Sequence, residues 1–146
     1  MRPQHAVPLS GPAAPRPSES LIAHSLNRVA NWHLNRDEPA AAIPLHEEAS
    51  TLFQAADDRV GSAHTLDLLA MTGLLGGDVE MGAWYYEQAI PLLREIGDRQ
   101  GLSTCLAMLA SQAGDLDCFV PAPMTREPAF WIRSGEEAVA VAREIG

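Results

Sequence analysis

The chain of 146 residues repeats itself at an interval of 40 residues. The tetrapeptide that begins at Asp58 reads Asp-Arg-Val-Gly, and the one that begins at Asp98 reads Asp-Arg-Gln-Gly. In the last third the interval grows to 49, where Arg-Glu-Ile-Gly from Arg94 matches the four residues from Arg143. A period of roughly 20 to 50 residues with helical signals is typical of helical repeat arrays. We therefore expect stacked units that present a surface to a partner.

Apolar spacing within each unit predicts two antiparallel helices, so the expected fold class is all-α. In the second unit these helices are predicted from about 61 to 75 and from about 79 to 96, with a Gly-Gly-Asp turn between them. The first helix of the chain is expected to begin at Ser18 or Ser20 as its N-cap. Its predicted apolar stripe comprises Leu21, Ile22, Leu26, Val29, Ala30 and Leu34.

The predicted domain organisation is a disordered, proline-rich leader over residues 1–19 and a repeat array over 20–146. The repeats span about 20–57, 61–97 and 101–146. The longer interval of the last third predicts an insertion at about 112–131, where Pro121, Pro123 and Pro128 favour extended or turned backbone. Helical spacing returns from Glu136 onward.

Composition excludes several classes of function. The chain has no lysine, which rules out a phosphate-binding P-loop and a Schiff-base lysine. A net charge of −9 argues against duplex nucleic acid and anionic membranes as partners. No signal peptide or membrane-spanning run is apparent, so we expect a cytoplasmic protein with Cys105 and Cys118 reduced. Hydrolase, zinc-protease and dinucleotide motifs are absent from the sequence, which predicts a non-enzyme without cofactor or metal.

A large residue, a leucine or similar residue three positions later and a small residue directly after it recur in the first helices. The three sets are Leu26/Val29/Ala30, Leu66/Leu69/Ala70 and Leu106/Leu109/Ala110. A small residue followed seven positions later by alanine recurs in the second helices, as Ala42/Ala49 and Gly82/Ala89. This pattern resembles the tetratricopeptide repeat, and the resemblance implies hairpins stacked as a short right-handed solenoid. Leu66, Leu69, Ala70 and Ala89 are then expected in the core, with Ala70 where two helices touch.

The resemblance also implies that the first helices line a concave groove for a peptide. By position, the groove residues are His24, Asn27 and Asn31 in repeat one, His64, Asp67 and Met71 in repeat two, and Thr104, Ala107 and Ser111 in repeat three. The lack of lysine and the charge of Asp67 speak against the clamping of a C-terminal carboxylate. An ordinary solvated helix face is the alternative interpretation of these residues. His24 and His64 are equivalent but are expected about 10 Å apart, too far to share a metal ion.

Two functional hypotheses follow. The first is a non-enzymatic protein–protein interaction module that binds a peptide or a partner domain on its concave face. The 40-residue unit and its Gly-Asp-Arg-x-Gly junction also resemble arrays in large bacterial regulators that couple an ATPase to a helical sensor. The alternative is therefore a sensor fragment of such a regulator, with a small ligand in the groove.

The end of the array is expected to expose apolar side chains, because a repeat normally buries them against the next repeat. The residues concerned are Ala138, Val141, Ala142 and Ile145. Either the insertion folds back on them with Phe119, Phe130 and Trp131, which we favour, or the C-terminal repeats self-associate.

Overall fold

The computed structural model describes residues 18–112 and 127–146, and these residues form six α-helices. Their bounds are α1 Glu19–Leu34, α2 Pro39–Ala55, α3 Arg59–Leu75, α4 Val79–Ile96, α5 Arg99–Ser111 and α6 Pro128–Ile145. Within these two ranges the secondary structure contains helix and turn but no strand, which confirms the predicted all-α class. The predicted leader through residue 17 and positions 113–126 of the predicted insertion lie outside the described residues.

Neighbouring helices pack in pairs. The hairpins α1–α2, α3–α4 and α5–α6 each join two helices along their lengths, and successive hairpins meet through α2–α3 and α4–α5. An ion pair between the first helix of a hairpin and the second helix recurs: Arg59 with Glu95, and Arg99 with Glu144. The predicted helix from 79 to 96 matches α4, and the predicted helix from about 61 to 75 begins two positions earlier, at Arg59.

The recurring Asp-Arg-x-Gly tetrapeptide is a helix start. Asp58 and Asp98 are the N-caps of α3 and α5, and each Oδ1 accepts a hydrogen bond of 2.8 Å from the glycine amide three residues later. Such a cap satisfies a backbone N–H that has no partner within the helix. Glycine is required at Gly61 because a Cβ atom there would lie 2.2 Å from the ring of Phe53. Ser18 caps α1 in the same way, as predicted.

The predicted core residues are buried. Leu66, Leu69, Ala70 and Ala89 are all at most 6% exposed, which confirms the register of the repeat. The carbonyl oxygen of Ala70 lies 3.1 Å from the position of a Cβ atom on Gly82, so α3 and α4 touch at this point.

The predicted apolar stripe of α1 was wrong in part. Leu21, Ile22 and Val29 are exposed, and the residues that α1 buries are Ala23, Asn27 and Ala30. Val29 corresponds to Leu69 in α3 and to Leu109 in α5. These two leucines are buried because α3 and α5 each pack on a preceding helix. No described helix precedes α1, so Val29 stays half exposed.

The second helix of the third hairpin, α6, begins earlier than the apolar spacing of the sequence suggested. We expected Pro128 to hold extended or turned backbone within the insertion, but α6 begins at Pro128. Proline is favoured at the first helical position because its missing N–H has no partner there in any case. Phe130 and Trp131 are therefore helical, and Trp131 is 5% exposed in the core that it shares with α5.

The apolar side of α6 is partly covered. Ala138 and Val141 are buried, whereas Ala142 and Ile145 are exposed. Phe119 belongs to the part of the insertion outside the described residues, so fold-back and self-association both stay predictions. Across residues 18–112 and 127–146, none of the helices has the length and apolar character that a membrane crossing demands.

Candidate functional site

Two junctions connect the hairpins. At the first junction the α1–α2 hairpin meets α3, and at the second junction the α3–α4 hairpin meets α5. Because the sequence repeats at 40 residues, each side chain of the first junction has an equivalent at the second. The differences between equivalent side chains give the two junctions different chemistry.

The first junction holds a chain of buried hydrogen bonds that ends at His46, whose Nε2 atom has no partner in the described part of the chain. The Asn27 amide Nδ2 donates to Thr65 Oγ1 over 2.8 Å, and Thr65 Oγ1 donates to the Gly61 carbonyl over 2.8 Å. Asn27 Oδ1 must then accept from His46 Nδ1, which lies 2.8 Å away. His46 is fully buried, and burial lowers the pKa of its imidazole from 6.5 to about 4. The ring is therefore neutral at pH 7, with its proton on Nδ1.

At the second junction, Asp67 stands in place of Asn27, Tyr86 in place of His46, and Cys105 in place of Thr65. The Cys105 thiol lies 3.4 Å from Asp67 Oδ1 and donates to it. Burial raises the pKa of the Asp67 carboxyl, and the hydrogen bond from Cys105 opposes that rise. The pKa values of the Tyr86 hydroxyl and the Cys105 thiol are also raised, first by burial and then by the negative charge of Asp67. The Asp67 carboxyl group therefore has only a weak donor, whereas Asn27 has two strong partners.

A cleft of about 490 Å³ opens at the second junction. Its walls come from α3, the end of α4 and the first turns of α5: His64, Asp67, Leu68, Leu93, Asp98, Gln100, Gly101, Thr104 and Cys105. His64 Nε2 lies 3.4 Å from Asp98 Oδ2 at one side of this cleft. None of these nine lining residues is an arginine, so the two carboxylates face no permanently positive side chain of the lining.

One wall residue of the cleft differs from its equivalent at the first junction. Leu93 lines the cleft, and its equivalent at the first junction is Phe53. The Phe53 ring is fully buried there, packed edge-on against His24 with the ring centres 4.8 Å apart. The second junction thus carries the smaller leucine where the first carries phenylalanine.

The predicted groove residues do not all lie in one place in the structure. His64, Asp67 and Thr104 come together in the cleft. Asn27 is buried, and its amide group is used inside the first junction, so it is not offered to a partner. His24 is exposed beside Phe53, and Ser111 is exposed with its hydroxyl donating to the Met108 carbonyl. Asn31 and Met71 are partly buried, and Ala107 is exposed.

Sequence reasoning missed the other six lining residues of the cleft. Leu68 and Leu93 were assigned no role, Cys105 was treated only as a reduced cysteine, and Asp98, Gln100 and Gly101 were recognised only as part of the repeat junction. A comparison of equivalent positions could have pointed to two of them. Phe53 corresponds to the smaller Leu93, and the hydroxyl of Thr65 corresponds to the thiol of Cys105.

The chemistry of the cleft is that of hydrogen-bond acceptors beside an apolar wall. Asp67 and Asp98 supply carboxylate oxygens, Thr104 a hydroxyl, and Leu68 and Leu93 the apolar surface. Within residues 18–112 and 127–146, no three His, Cys, Asp or Glu side chains are grouped so as to hold one metal ion. No protein-family model matches the chain, and it has no match among the curated proteins with which it was compared.

Proposed function

We propose that this chain is a non-enzymatic interaction module. Three tetratricopeptide-like hairpins stack as a short right-handed solenoid and bind an extended segment of a partner protein across α1, α3 and α5. The observation that carries the proposal is the cleft at the second junction, which collects His64, Asp67 and Thr104 from the first helices of two adjacent hairpins.

The chemistry of the same cleft favours binding over catalysis. Cys105 is its one thiol, and the raised pKa keeps that thiol protonated and a poor nucleophile at neutral pH. The volume of about 490 Å³ suits one or two side chains of a partner. An extended peptide that places one side chain in the cleft would have the remaining surface of α1, α3 and α5 beside it.

A peptide selection tests this function. A displayed library of random peptides is enriched on the folded protein, and the enriched peptides are titrated into ¹⁵N-labelled protein. We expect the largest amide shifts at residues 64–68 and 98–105. Enriched peptides that shift the outer faces of α4 and α6 instead would refute the proposed site, and the absence of any enrichment would refute the function.

Leu93→Phe is the matched variant for this experiment. It copies Phe53, which packs against Gly61 at the first junction, and Leu93 packs against the equivalent Gly101, where a Cβ atom would lie 2.9 Å from Leu93 Cδ2. The variant is therefore expected to fold and to bind the enriched peptides at least about tenfold more weakly. Unchanged binding to Leu93→Phe would place the peptide elsewhere.

A second candidate function is a ligand sensor within a larger regulator. The cleft volume of about 490 Å³ also lies in the range of roughly 300–1,000 Å³ that small-molecule sites occupy. A thermal-shift screen of metabolites distinguishes the two functions. A small molecule that stabilises the wild type but not Leu93→Phe, without any peptide enriched on the cleft, would favour the sensor.

A further inference from the structure

The cleft at the second junction has a polarity that selects one kind of side chain. Resting on the proposed function, we propose that it binds the cationic side chain of an arginine or lysine in the partner, with Asp67 as the principal acceptor. The aliphatic stem lies along Leu68 and Leu93, and the charged end reaches Asp67 and Asp98. These four residues all line the cleft.

The first step of the argument is the incomplete set of partners around Asp67. Its equivalent, Asn27, makes two hydrogen bonds of 2.8 Å with His46 and Thr65. Among residues 18–112 and 127–146, Asp67 accepts only from the Cys105 thiol, at 3.4 Å. A carboxylate offers about four acceptor sites, so most of its capacity is open toward the cleft.

The second step concerns Tyr86, which occupies the place of His46. Its hydroxyl is fully buried and has no hydrogen-bond partner in the described part of the chain. At the first junction the equivalent ring donates to Asn27, whereas no hydrogen bond connects Tyr86 with Asp67. The second junction therefore lacks the hydrogen bond that His46 gives to Asn27 at the first junction, and a donor from outside can supply one to Asp67.

The third step is the balance of charge. A carboxylate removed from water is costly unless it is paired. Asp67 and Asp98 both line the cleft, and His64, 3.4 Å from Asp98, is the one basic residue of its lining. Arg99 is paired with Glu144 and Arg94 with Glu137, and none of these four residues lines the cleft. A guanidinium or ammonium group brings the missing charge together with several N–H donors.

The first test uses small probes of matched shape. Nα-acetyl-arginine amide and its neutral isostere Nα-acetyl-citrulline amide are titrated into ¹⁵N-labelled protein. We expect saturable shifts at residues 64–68 and 98–105 with the arginine probe, and at least about tenfold weaker binding of the citrulline probe. Equal binding of the two probes would overturn the inference.

The second test uses charge-removing variants that preserve shape. Asp67→Asn is expected to fold, because the equivalent position already carries asparagine, and to weaken the arginine probe about tenfold. Asp58→Asn is the control. Asp58 is the N-cap of α3 and the equivalent of Asp98, so this variant removes one negative charge at the first junction, outside the cleft. Asparagine caps helices as well as aspartate does. Binding that Asp67→Asn leaves intact, or that Asp58→Asn weakens equally, would overturn the inference.

The selected peptides separate this inference from the proposed function. Peptides enriched on the cleft should carry arginine or lysine, and replacement of that residue by citrulline or norleucine should abolish the preference for wild type over Asp67→Asn. Peptides that bind in the cleft without a basic residue would overturn the cation site and leave the interaction module standing. An arginine probe that binds at Asp67 while no peptide is enriched would support the cation site and refute the module.

Discussion

The side-chain amide of Asn27 donates a buried hydrogen bond of 2.8 Å to the hydroxyl of Thr65, and this bond ties the first hairpin to the second. The residues lie 38 positions apart, and the same separation joins Asp67 to Cys105 at the next junction. One backbone geometry therefore carries an amide group with two hydrogen bonds at the first junction and a carboxyl group with a single weak donor at the second.

Removal of the Thr65 hydroxyl should destabilise the protein. Thr65→Val keeps the shape of the side chain but leaves the buried Asn27 amide N–H without an acceptor, which costs about 1–3 kcal/mol. Urea denaturation at pH 7 measures the free energy of unfolding. Thr51→Val is the control, because Thr51 also donates to the carbonyl four residues earlier but is exposed, so its change should stay within about 0.5 kcal/mol. Equal losses in the two variants would contradict the role of the Asn27 bond.

Acidification should weaken the fold through His46. Between pH 6.5 and about 4 the unfolded chain binds a proton on this imidazole that the folded protein, with its lowered pKa, does not bind. Stability contributed by the neutral ring is therefore present above pH 6.5 and is lost as the pH falls through this window, by at most about 1.4 kcal/mol per pH unit. The measurement is the free energy of unfolding from pH 7 to 4 for the wild type and for His46→Asn, which does not titrate. The wild type should show the steeper loss, and parallel curves would contradict the prediction.

The contact between Gly61 and Phe53 should behave as a coupled pair. Gly61→Ala places a Cβ atom 2.2 Å from the buried Phe53 ring and should cost about 1–3 kcal/mol. In a Phe53→Leu background, which copies Leu93 beside Gly101, the same change should cost less. A double-mutant cycle by chemical denaturation measures the coupling, expected at about 0.5–3 kcal/mol. Additive losses would show that the ring is not what the new methyl group meets.

Ala70 should not tolerate a larger residue. Its carbonyl approaches Gly82 where α3 and α4 touch, so Ala70→Leu overpacks the contact and should cost about 1–3 kcal/mol. Ala107→Leu on the exposed face of α5 is the matched control and should change stability by less than about 0.5 kcal/mol. Thermal melting of the two variants gives the comparison, and a tolerated Ala70→Leu would contradict the close approach of these helices.

The sequence was sufficient for features that depend on local patterns. The apolar spacing predicted the start of α3 to within two residues, at about 61 against Arg59. The Asp-Arg-x-Gly tetrapeptide was recognised as a repeat junction, and the structure shows that its aspartates cap α3 and α5. Small residues at fixed spacing predicted the burial of Ala70 and Ala89, since they recur wherever helices touch. Apolar spacing did not predict the exposure of Val29 in α1, because that exposure depends on whether another helix covers it. It also did not predict the start of α6, because Pro128 is as compatible with the first turn of a helix as with a loop turn.

The candidate site could be predicted only in outline. Position within the repeat placed His64, Asp67 and Thr104 together, and the structure brings them into one cleft. The same reasoning assigned Asn27 to the surface, because the sequence does not show that His46 and Thr65 approach it from two other helices. The cleft itself lies between residues of α3, α4 and α5, so it exists only once the hairpins are packed.

The difference in volume between Phe53 and Leu93 has a consequence for how proteins of this kind diversify. Positions 53 and 93 are equivalent in the repeat, and a single base change converts a phenylalanine codon into a leucine codon. We expect variation at this one place in each unit to change the volume beside Gly61 or Gly101 while the surrounding helices keep their geometry. A designer can use the same exchange to introduce a binding recess at a chosen unit, with Phe53→Leu as the first variant to make.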